Sequence, residues 1–170
     1  MNNRPRIKIK WNKNDWLIEI ISYVLLTTFW TVTILSFKHL PDEIPTHYDG
    51  TGQADAFGDK EAIFVLPIIT TLLFGLLSVV IKFPHTFNYA VEITEENAEK
   101  QYRNAVWLMR VLKVLIVLIF FFIAYQTIQI ALEKAFDLGT WFLPSIFVLL
   151  SIVLGYNIYQ SKQINKSSIN

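Results

Sequence analysis

Residues 62–81 read AIFVLPIITTLLFGLLSVVI and contain no charged side chain. An α-helix rises about 1.5 Å per residue, so a stretch of this length crosses a hydrocarbon layer about 30 Å thick. Further apolar stretches of similar length occupy residues 17–37, 114–132 and 141–159. The sequence therefore predicts an all-α membrane protein that forms a four-transmembrane-helix bundle.

The composition of the 170-residue chain agrees with this fold class. Hydrophobic residues make up 53% and charged residues 17%, whereas soluble domains average about 45–50% and about 25%. Each piece between the apolar stretches is shorter than the roughly 40 residues that an unassisted hydrophobic core needs. We therefore predict a single membrane domain over residues 1–170, with the lipid bilayer as its surroundings and no separate soluble domain.

Charge and cysteine content narrow the function classes. The net charge of +1 comes from basic residues that are not clustered on one soluble face, so we expect no nucleic-acid partner. The chain has no cysteine, which removes disulfides, thiolate zinc sites and cysteine nucleophiles. We expect no cofactor and no bound metal, and we favour a role other than that of an enzyme.

The distribution of Lys and Arg predicts the orientation of the spans. The N-terminal segment and residues 82–113 hold five basic residues each and the C-terminal segment holds two, whereas residues 38–61 and 133–140 together hold three. Loops rich in Lys and Arg stay in the cytoplasm. We therefore predict a multi-pass protein with cytoplasmic N- and C-termini, a retained signal anchor, a cytoplasmic 82–113 segment and an external 38–61 loop.

The 38–61 loop has the strongest turn chemistry in the chain. Pro41 and Pro45 fix their backbone angles, Asp49-Gly50 is a tight-turn signal, and Gly52 permits a positive φ. A connection of 24 residues is longer than most structureless loops. We therefore predict an ordered extracellular loop.

Polar residues of this loop are candidates for binding or for ordering the loop itself. The ordering interpretation pairs Asp55 with Lys60 and lets His47 bond a turn carbonyl or a nearby acid. In the binding interpretation His47 also responds to pH, because histidine titrates near neutrality without help. The two interpretations are compatible, since an ordered loop presents a defined surface.

A polar stripe at the end of the third span points to the same side as this loop. Gln126, Gln129 and Glu133 recur at i, i+3 and i+7. Amides in a span are often contacts between helices. We hypothesise instead that the stripe and the loop form one polar recess for an extracellular peptide or small ligand.

Residues 94–112 predict a cytoplasmic amphipathic helix that runs into the third span. Thr94 is a candidate N-cap. The apolar stripe comprises Ala98, Tyr102, Ala105, Met109 and Leu112. This face could dock a cytoplasmic partner, lie on the membrane or pack against the bundle. Glu19 lies near the end of the first span, where we expect its carboxylate to reach the interface.

Two signatures of the chain resemble a known family. The first is Leu40-Pro41-x-x-Ile44-Pro45-x-His47, then Gly52, Asp55 and Lys60. The second is Phe87-Asn88-Tyr89, then Ile93-Thr94-Glu95-Glu96-Asn97 and Tyr102. In this order, and separated by a span, they resemble the bacterial membrane domain of unknown function 1648, as found in Sdp-type (SdpI-like) immunity proteins. The resemblance covers roughly residues 17–113.

The resemblance implies a bacterial cytoplasmic membrane protein related to immunity and signalling. The best-known members of that family protect a Gram-positive producer from a secreted toxin and hold a transcriptional repressor at the membrane, whereas most members have no assigned activity. An extracellular peptide or toxin and a cytoplasmic regulator are the partners it implies, and a homo-oligomer is compatible with it. This chain departs from the longer relatives because it has no recognisable C-terminal immunity module.

Alternative functions come from other classes. A metal-dependent membrane hydrolase could use His39, His47 and an acid such as Asp49 or Asp55, whose residue types suit zinc. Their spacing matches no hydrolase motif. A small transporter or complex subunit is a further alternative, although four spans without an inverted repeat or a charge relay would need to oligomerise.

Overall fold

The computed structural model describes residues 4–169, with side chains through residue 167, and has four long helices and one hairpin. The helices are α1 (Lys13–Phe37), α2 (Val65–Val80), α3 (Ala98–Ala131) and α4 (Phe142–Ile169). The antiparallel strands β1 (Glu43–Tyr48) and β2 (Ala54–Asp59) lie between α1 and α2. Short 3₁₀ turns at Lys60–Phe64 and Pro84–Thr86 precede and follow α2.

Each of the four predicted spans is confirmed as a helix that is long and apolar enough to cross a membrane. The chain is therefore a multi-pass membrane protein. Hydroxyls within the spans donate to carbonyls of the same helix, as Thr33 does to Phe29 at 3.0 Å and Thr70 does to Leu66 at 2.7 Å. These bonds satisfy polar side chains where no water is present.

The third helix organises the bundle, because α3 packs against α1, α2 and α4. It runs parallel to α1: Asp15 meets Arg110 near one end, and the rings of Phe29 and Phe121 lie 5.3 Å apart further along. We call the end with the strands and the 132–141 turn the hairpin end. The opposite end, with residues 4–16, 81–97 and the last turns of α4, is the terminal end.

The 38–61 segment contains regular structure that the all-α prediction did not include. Residues predicted as an ordered loop form the β1–β2 hairpin, so the helical bundle has a small sheet at one end. The hairpin is seated on the bundle by apolar side chains. The shared core consists of Phe29, Leu40, Ile44, Ile63, Ala124 and Ile128.

The predicted amphipathic helix differs from the structure in its start and its buried face. Helix α3 begins at Ala98, because the Asn97 side chain accepts the N–H of Thr94 and closes a turn there, so Thr94 is not the N-cap. The side chains that α3 buries in this region are Ala98, Gln101, Tyr102, Val106, Arg110 and Lys113. The predicted apolar stripe is thus buried only in part. The buried face of α3 also includes the polar side chains of Gln101, Arg110 and Lys113.

Candidate functional site

The hairpin is irregular at the residue that sequence analysis singled out. The strand register shifts between Pro45 and His47 and again between His47 and Tyr48. Pro45 has no N–H to donate to the strand ladder, and such interruptions re-aim side chains. The side chain of Ile44 is buried at 1% exposure, whereas that of His47 is 69% exposed. Local irregularity therefore holds one side of β1 on the core and presents His47 outward.

The turn between the strands is closed by Asp49. Its Oδ1 accepts hydrogen bonds from the Thr51 N–H at 2.8 Å, the Thr51 hydroxyl at 2.7 Å and the Gln53 N–H at 3.1 Å. These bonds, led by the Thr51 hydroxyl, lower the pKa of Asp49. Asp49 is therefore a turn-ordering residue, held as the carboxylate.

Gly52 joins this turn to the 132–141 turn. It has φ +88°, and a Cβ there would lie 3.1 Å from the Gly139 carbonyl oxygen. The Leu138 N–H donates to the Gly52 carbonyl at 2.9 Å. Only a residue without a side chain fits this contact and this backbone angle.

The side-chain pairs of the hairpin agree with the prediction for His47, which meets a nearby acid, and differ from the prediction for Lys60. The His47 Nδ1 atom lies 2.5 Å from Asp55 Oδ1, and the Lys60 Nζ atom lies 2.7 Å from Asp42 Oδ1. The prediction that Asp55 pairs with Lys60 is wrong. The strand register sets His47 beside Asp55, whereas Lys60 follows β2 and donates its own N–H to the Asp42 carbonyl. The hydrogen bond and charge of Lys60 lower the pKa of Asp42.

A cavity of about 400 Å³ lies beneath the hairpin. Tyr48 spans from the hairpin to α3, where its hydroxyl lies 2.8 Å from Thr127 Oγ1. Burial raises the pKa of Tyr48. The polar side chains that line the cavity are Thr46, His47, Tyr48, Asp49 and Thr127. Much of the remaining wall is apolar, and includes Ile44, Ile63, Leu66, Ile123, Leu138 and Phe142.

The predicted polar stripe on α3 does not line this cavity. The Gln126 amide donates to the Asp137 carbonyl at 3.4 Å, and the Gln129 carbonyl accepts the Lys134 N–H at 2.8 Å. Glu133 is exposed, beyond the end of α3, at φ 58°. The Gln126 side chain and the Gln129 main-chain carbonyl contact the 132–141 turn, and Thr127 is the α3 hydroxyl that meets the hairpin. Pro41 is exposed before β1, and Pro45 is buried within it.

The second signature lies at the terminal end. The Tyr89 hydroxyl donates to the Pro84 carbonyl at 2.8 Å, and its ring lies 5.6 Å from that of Tyr102. The Tyr102 hydroxyl donates to the Pro5 carbonyl at 3.0 Å. Burial raises the pKa of Tyr89. Both tyrosines thus hold the N-terminal segment against the segment that follows α2.

The remaining signature residues shape the turn before α3. The Asn97 amide donates to the Glu92 carbonyl at 2.9 Å and to Asn165 Oδ1 on α4 at 3.2 Å. A hydrogen bond from the Thr94 side chain lowers the pKa of Glu96. Asn88 is exposed. These contacts are structural ties between chain segments.

A buried charge quartet, which we define as Asp15, Glu19, Arg110 and Lys113, was not predicted from the sequence. Arg110 pairs with Asp15, and the Lys113 Nζ atom lies 2.6 Å from Glu19 Oε2. Both cationic side chains are 1% exposed. The expectation that Glu19 reaches the interface is wrong, because α3 supplies its partners. The available signal was the spacing: two acids at i, i+4 on α1 and two bases at i, i+3 on α3.

Metal chemistry has no ligand set in the described part of the chain. Among those residues, no group of three or more His, Asp and Glu side chains lies close enough to hold a metal ion. His39 Nδ1 lies 3.3 Å from the Leu35 carbonyl, and His47 is paired with Asp55. The structure therefore gives no support to the hydrolase alternative.

The match of the chain to a known protein family lies at the hairpin end. Residues 24–71 match a family described as a domain of unknown function, DUF1648. The DUF1648 match begins within α1, includes the whole hairpin and ends within α2. It thus coincides with one wall of the 400 Å³ cavity.

A relative of the chain occurs in an archaeon. It is an uncharacterized protein of Archaeoglobus fulgidus, 25% identical over an alignment of 101 positions that covers 53% of this chain and 54% of the relative. The chain thus matches about half the length of that protein. No solved structure matches the chain.

Proposed function

We propose that the chain is a binding protein that senses an external peptide or small ligand in the cavity beneath the hairpin. The observation that supports it is the cavity itself. Its volume of about 400 Å³ falls within the range of small-molecule sites, and its largely apolar wall with a few polar groups is typical of them. The expected ligand has an apolar side chain or tail and a polar end.

The polar end would meet the groups at the hairpin. Tyr48 and Thr127 cross the cavity from β1 to α3, and His47 lies at its edge beside Asp55. The His47 side chain is 69% exposed, so it is accessible to a ligand.

Helix α3 extends from the cavity to the opposite end of the bundle, which supports transmission of a binding signal along it. Its 34 residues run without a break from Ala98 to Ala131, a length of about 51 Å. Thr127 lines the cavity near one end, and Gln101 bonds the Ser161 carbonyl of α4 near the other. A ligand that favours one arrangement of these contacts would shift their population. In this proposal a cytoplasmic regulator reads that shift.

The DUF1648 match and the basic residues support the biological setting. The proposal places the hairpin outside a bacterial cytoplasmic membrane and both termini inside, because the terminal end has most of the Lys and Arg residues. The resemblance to Sdp-type immunity proteins makes a secreted peptide toxin the natural ligand class.

Labelling of introduced cysteines tests the orientation, since the chain has none of its own. Gln53 and Glu95 are both exposed, at the hairpin end and the terminal end respectively. In intact cells, a membrane-impermeant maleimide is expected to modify Gln53→Cys but not Glu95→Cys. After the cells are opened, both should react. Modification of Glu95→Cys alone in intact cells would reverse the proposed orientation.

Occlusion of the cavity tests the binding function. Val65 lines the cavity, and its side chain is exposed, so Val65→Trp narrows the cavity without entering the core. Leu72→Trp is the matched control, because Leu72 lies two turns along the same exposed face of α2 and outside the cavity. The probes are tripeptides with one aromatic or branched apolar side chain, added to the protein in nanodiscs.

Thermal unfolding reports the outcome, since a ligand that binds only the folded state raises Tm. Tripeptides are expected to raise the Tm of the wild type and Leu72→Trp, and to have little effect on Val65→Trp. An equal rise in all three proteins would place binding outside the cavity and contradict the proposal.

A further inference from the structure

A second and larger cavity lies at the terminal end, between α1 and α2. Its volume is about 730 Å³. Residues of the N-terminal segment, α1, α2 and α3 all contribute to its wall. It shares no lining residue with the cavity beneath the hairpin, so its chemistry stands apart from the proposed function above.

The N-terminal segment is pinned where it forms part of this wall. Arg4 donates to the Phe87 carbonyl at 2.6 Å, and Arg103 donates to the Lys10 carbonyl at 3.3 Å. These contacts, together with that of Tyr102 with Pro5, hold the segment on both sides of Lys8. These contacts of neighbouring residues therefore set the positions of Lys8 and Trp11 in the cavity wall.

The charges that line the cavity favour an anion. Lys8, Lys82 and Arg110 are cationic, and Glu19 is the acid among the lining residues. The Glu19 charge is already met by Lys113 at 2.6 Å, and the Arg110 charge is met by Asp15. Lys8 and Lys82 therefore supply the net positive charge that is left for a ligand.

Arg110 supplies a buried polar atom that has no hydrogen bond. Its Nε atom is buried and has no hydrogen-bond partner among the described residues, although Glu19 Oε1 lies 3.3 Å away. Buried donors are normally paired, and each exception needs an explanation. An anionic oxygen in this cavity would give this donor a partner.

The same cavity continues along an apolar surface of the spans. Ile20 and Tyr23 on α1 and Val79 on α2 line it, and their side chains are exposed. In a membrane such residues face hydrocarbon. Trp11 and Trp16, whose rings lie 4.6 Å apart, form the wall next to the charges, as amphipathic rings do at the headgroup level.

We propose that this cavity binds a phospholipid with an anionic headgroup. The phosphate would meet Lys8, Lys82 and Arg110, and an acyl chain would follow Ile20 and Tyr23. Basic recesses between transmembrane helices are a recognised way to bind anionic lipid headgroups. Free phosphate would use only the charged part of the cavity, whereas a lipid uses both parts.

Lipid titration of the purified protein tests the proposal. Native mass spectrometry of the whole chain in detergent measures the dissociation constants of phosphatidylglycerol and phosphatidylcholine. The test variant is Lys8→Ala with Lys82→Ala, two exposed side chains whose loss leaves the core intact. The matched control is Lys38→Ala with Lys134→Ala, which removes the same charge from exposed residues at the hairpin end.

We expect the wild type to bind one phosphatidylglycerol more tightly than phosphatidylcholine. The test variant should bind it about fivefold more weakly for each lysine removed, which corresponds to about 1 kcal/mol per cation near lipid anions. The control should match the wild type, and millimolar inorganic phosphate should not displace the lipid.

Three results would overturn the proposal. Equal weakening in the test and control variants would mean that overall charge, and not this cavity, attracts the lipid. Equal affinity for the two lipids would leave no role for the cations. Displacement by inorganic phosphate would make the free anion the occupant. Unfolding curves of both variants check that neither loses its fold.

Discussion

The two ends of the molecule use ion pairs in opposite ways. At the hairpin end, the His47–Asp55 pair has side chains that are 69% and 47% exposed. At the terminal end, the Arg110–Asp15 and Lys113–Glu19 pairs are almost completely buried. The residue types are similar, and the surroundings differ. Exposed pairs contribute little to stability, whereas removal of one partner from a buried pair leaves an uncompensated charge.

This difference assigns different tasks to the two ends. The quartet fixes α1 against α3, because each acid of α1 has a defined base on α3. The hairpin is seated mainly by apolar side chains such as Ile44, and its His47–Asp55 pair lies at the surface.

Lys113→Met should have the largest effect. It leaves Glu19 buried without its closest cation, so the free energy of unfolding in mixed micelles should fall by about 3–5 kcal/mol. Lys134→Met, at an exposed position, should stay within about 0.5 kcal/mol of the wild type. Adding Glu19→Gln to Lys113→Met should restore much of the loss. If it restores none, the buried charge is not the cause.

Ile44→Ala should have the next largest effect, at the other end. The side chain is buried in the core that seats the hairpin, so the variant should lose about 2–4 kcal/mol and release the hairpin. Denaturant unfolding measures the loss, and faster hydrogen exchange at the β1–β2 backbone amides reports the release. Phe57→Ala, on the exposed part of β2, is the control with little expected change. Equal losses in the two variants would contradict the seating described here.

Tyr48→Phe should have a moderate effect. The Thr127 hydroxyl donates to the Ile123 carbonyl at 2.9 Å, so Tyr48 must donate to Thr127. Its loss should lower the free energy of unfolding by about 1 kcal/mol. A double-mutant cycle with Thr127→Val measures the coupling directly. Additive effects would show that the two hydroxyls do not interact.

Asp55→Asn should change stability by less than about 1 kcal/mol, because the pair with His47 is exposed. The change should shrink further at high salt, which screens exposed charges. Unfolding curves at low and high ionic strength provide the measurement. A loss as large as that of Lys113→Met would remove the contrast between the two ends.

Acid should loosen the hairpin turn through Asp49. The hydrogen bonds from Thr51 and Gln53 lower its folded pKa below the ordinary value of 3.8, so the stabilisation is present above pH 3.8. It is lost as the pH falls through the lower folded pKa. The protection factors of the 49–53 amides, which correct for the intrinsic pH dependence of exchange, should therefore be constant at higher pH and fall in acid. Asp49→Asn should exchange faster at high pH and lose the acid-dependent step.

The sequence predicted the spans well because their signal is local. Uncharged runs such as residues 62–81 reveal a membrane helix without any knowledge of neighbouring segments. The hairpin was harder to predict. Pro45 is unfavourable in the interior of a strand. The structure shows that residues 43–48 nevertheless form β1, which packs on the core through Ile44.

The buried quartet could not be predicted from the sequence of either helix alone. Glu19 near the end of a span is compatible with an interfacial position, and Lys113 resembles a boundary residue before the third apolar stretch. Only the parallel packing of α1 and α3 brings them to 2.6 Å. Similarly, the pairing of His47 with Asp55 follows from strand register, which the turn signal alone did not define.

The quartet also sets an order of events during synthesis. Asp15 precedes its partner Arg110 by 95 residues, and Glu19 precedes Lys113 by 94. At a synthesis rate of about 5–20 residues per second, α1 waits roughly 5–20 s for the bases of α3. Until then its two acids must stay in contact with water or with the insertion machinery. The contacts that fix α1 against α3 therefore form only after α3 has been synthesised.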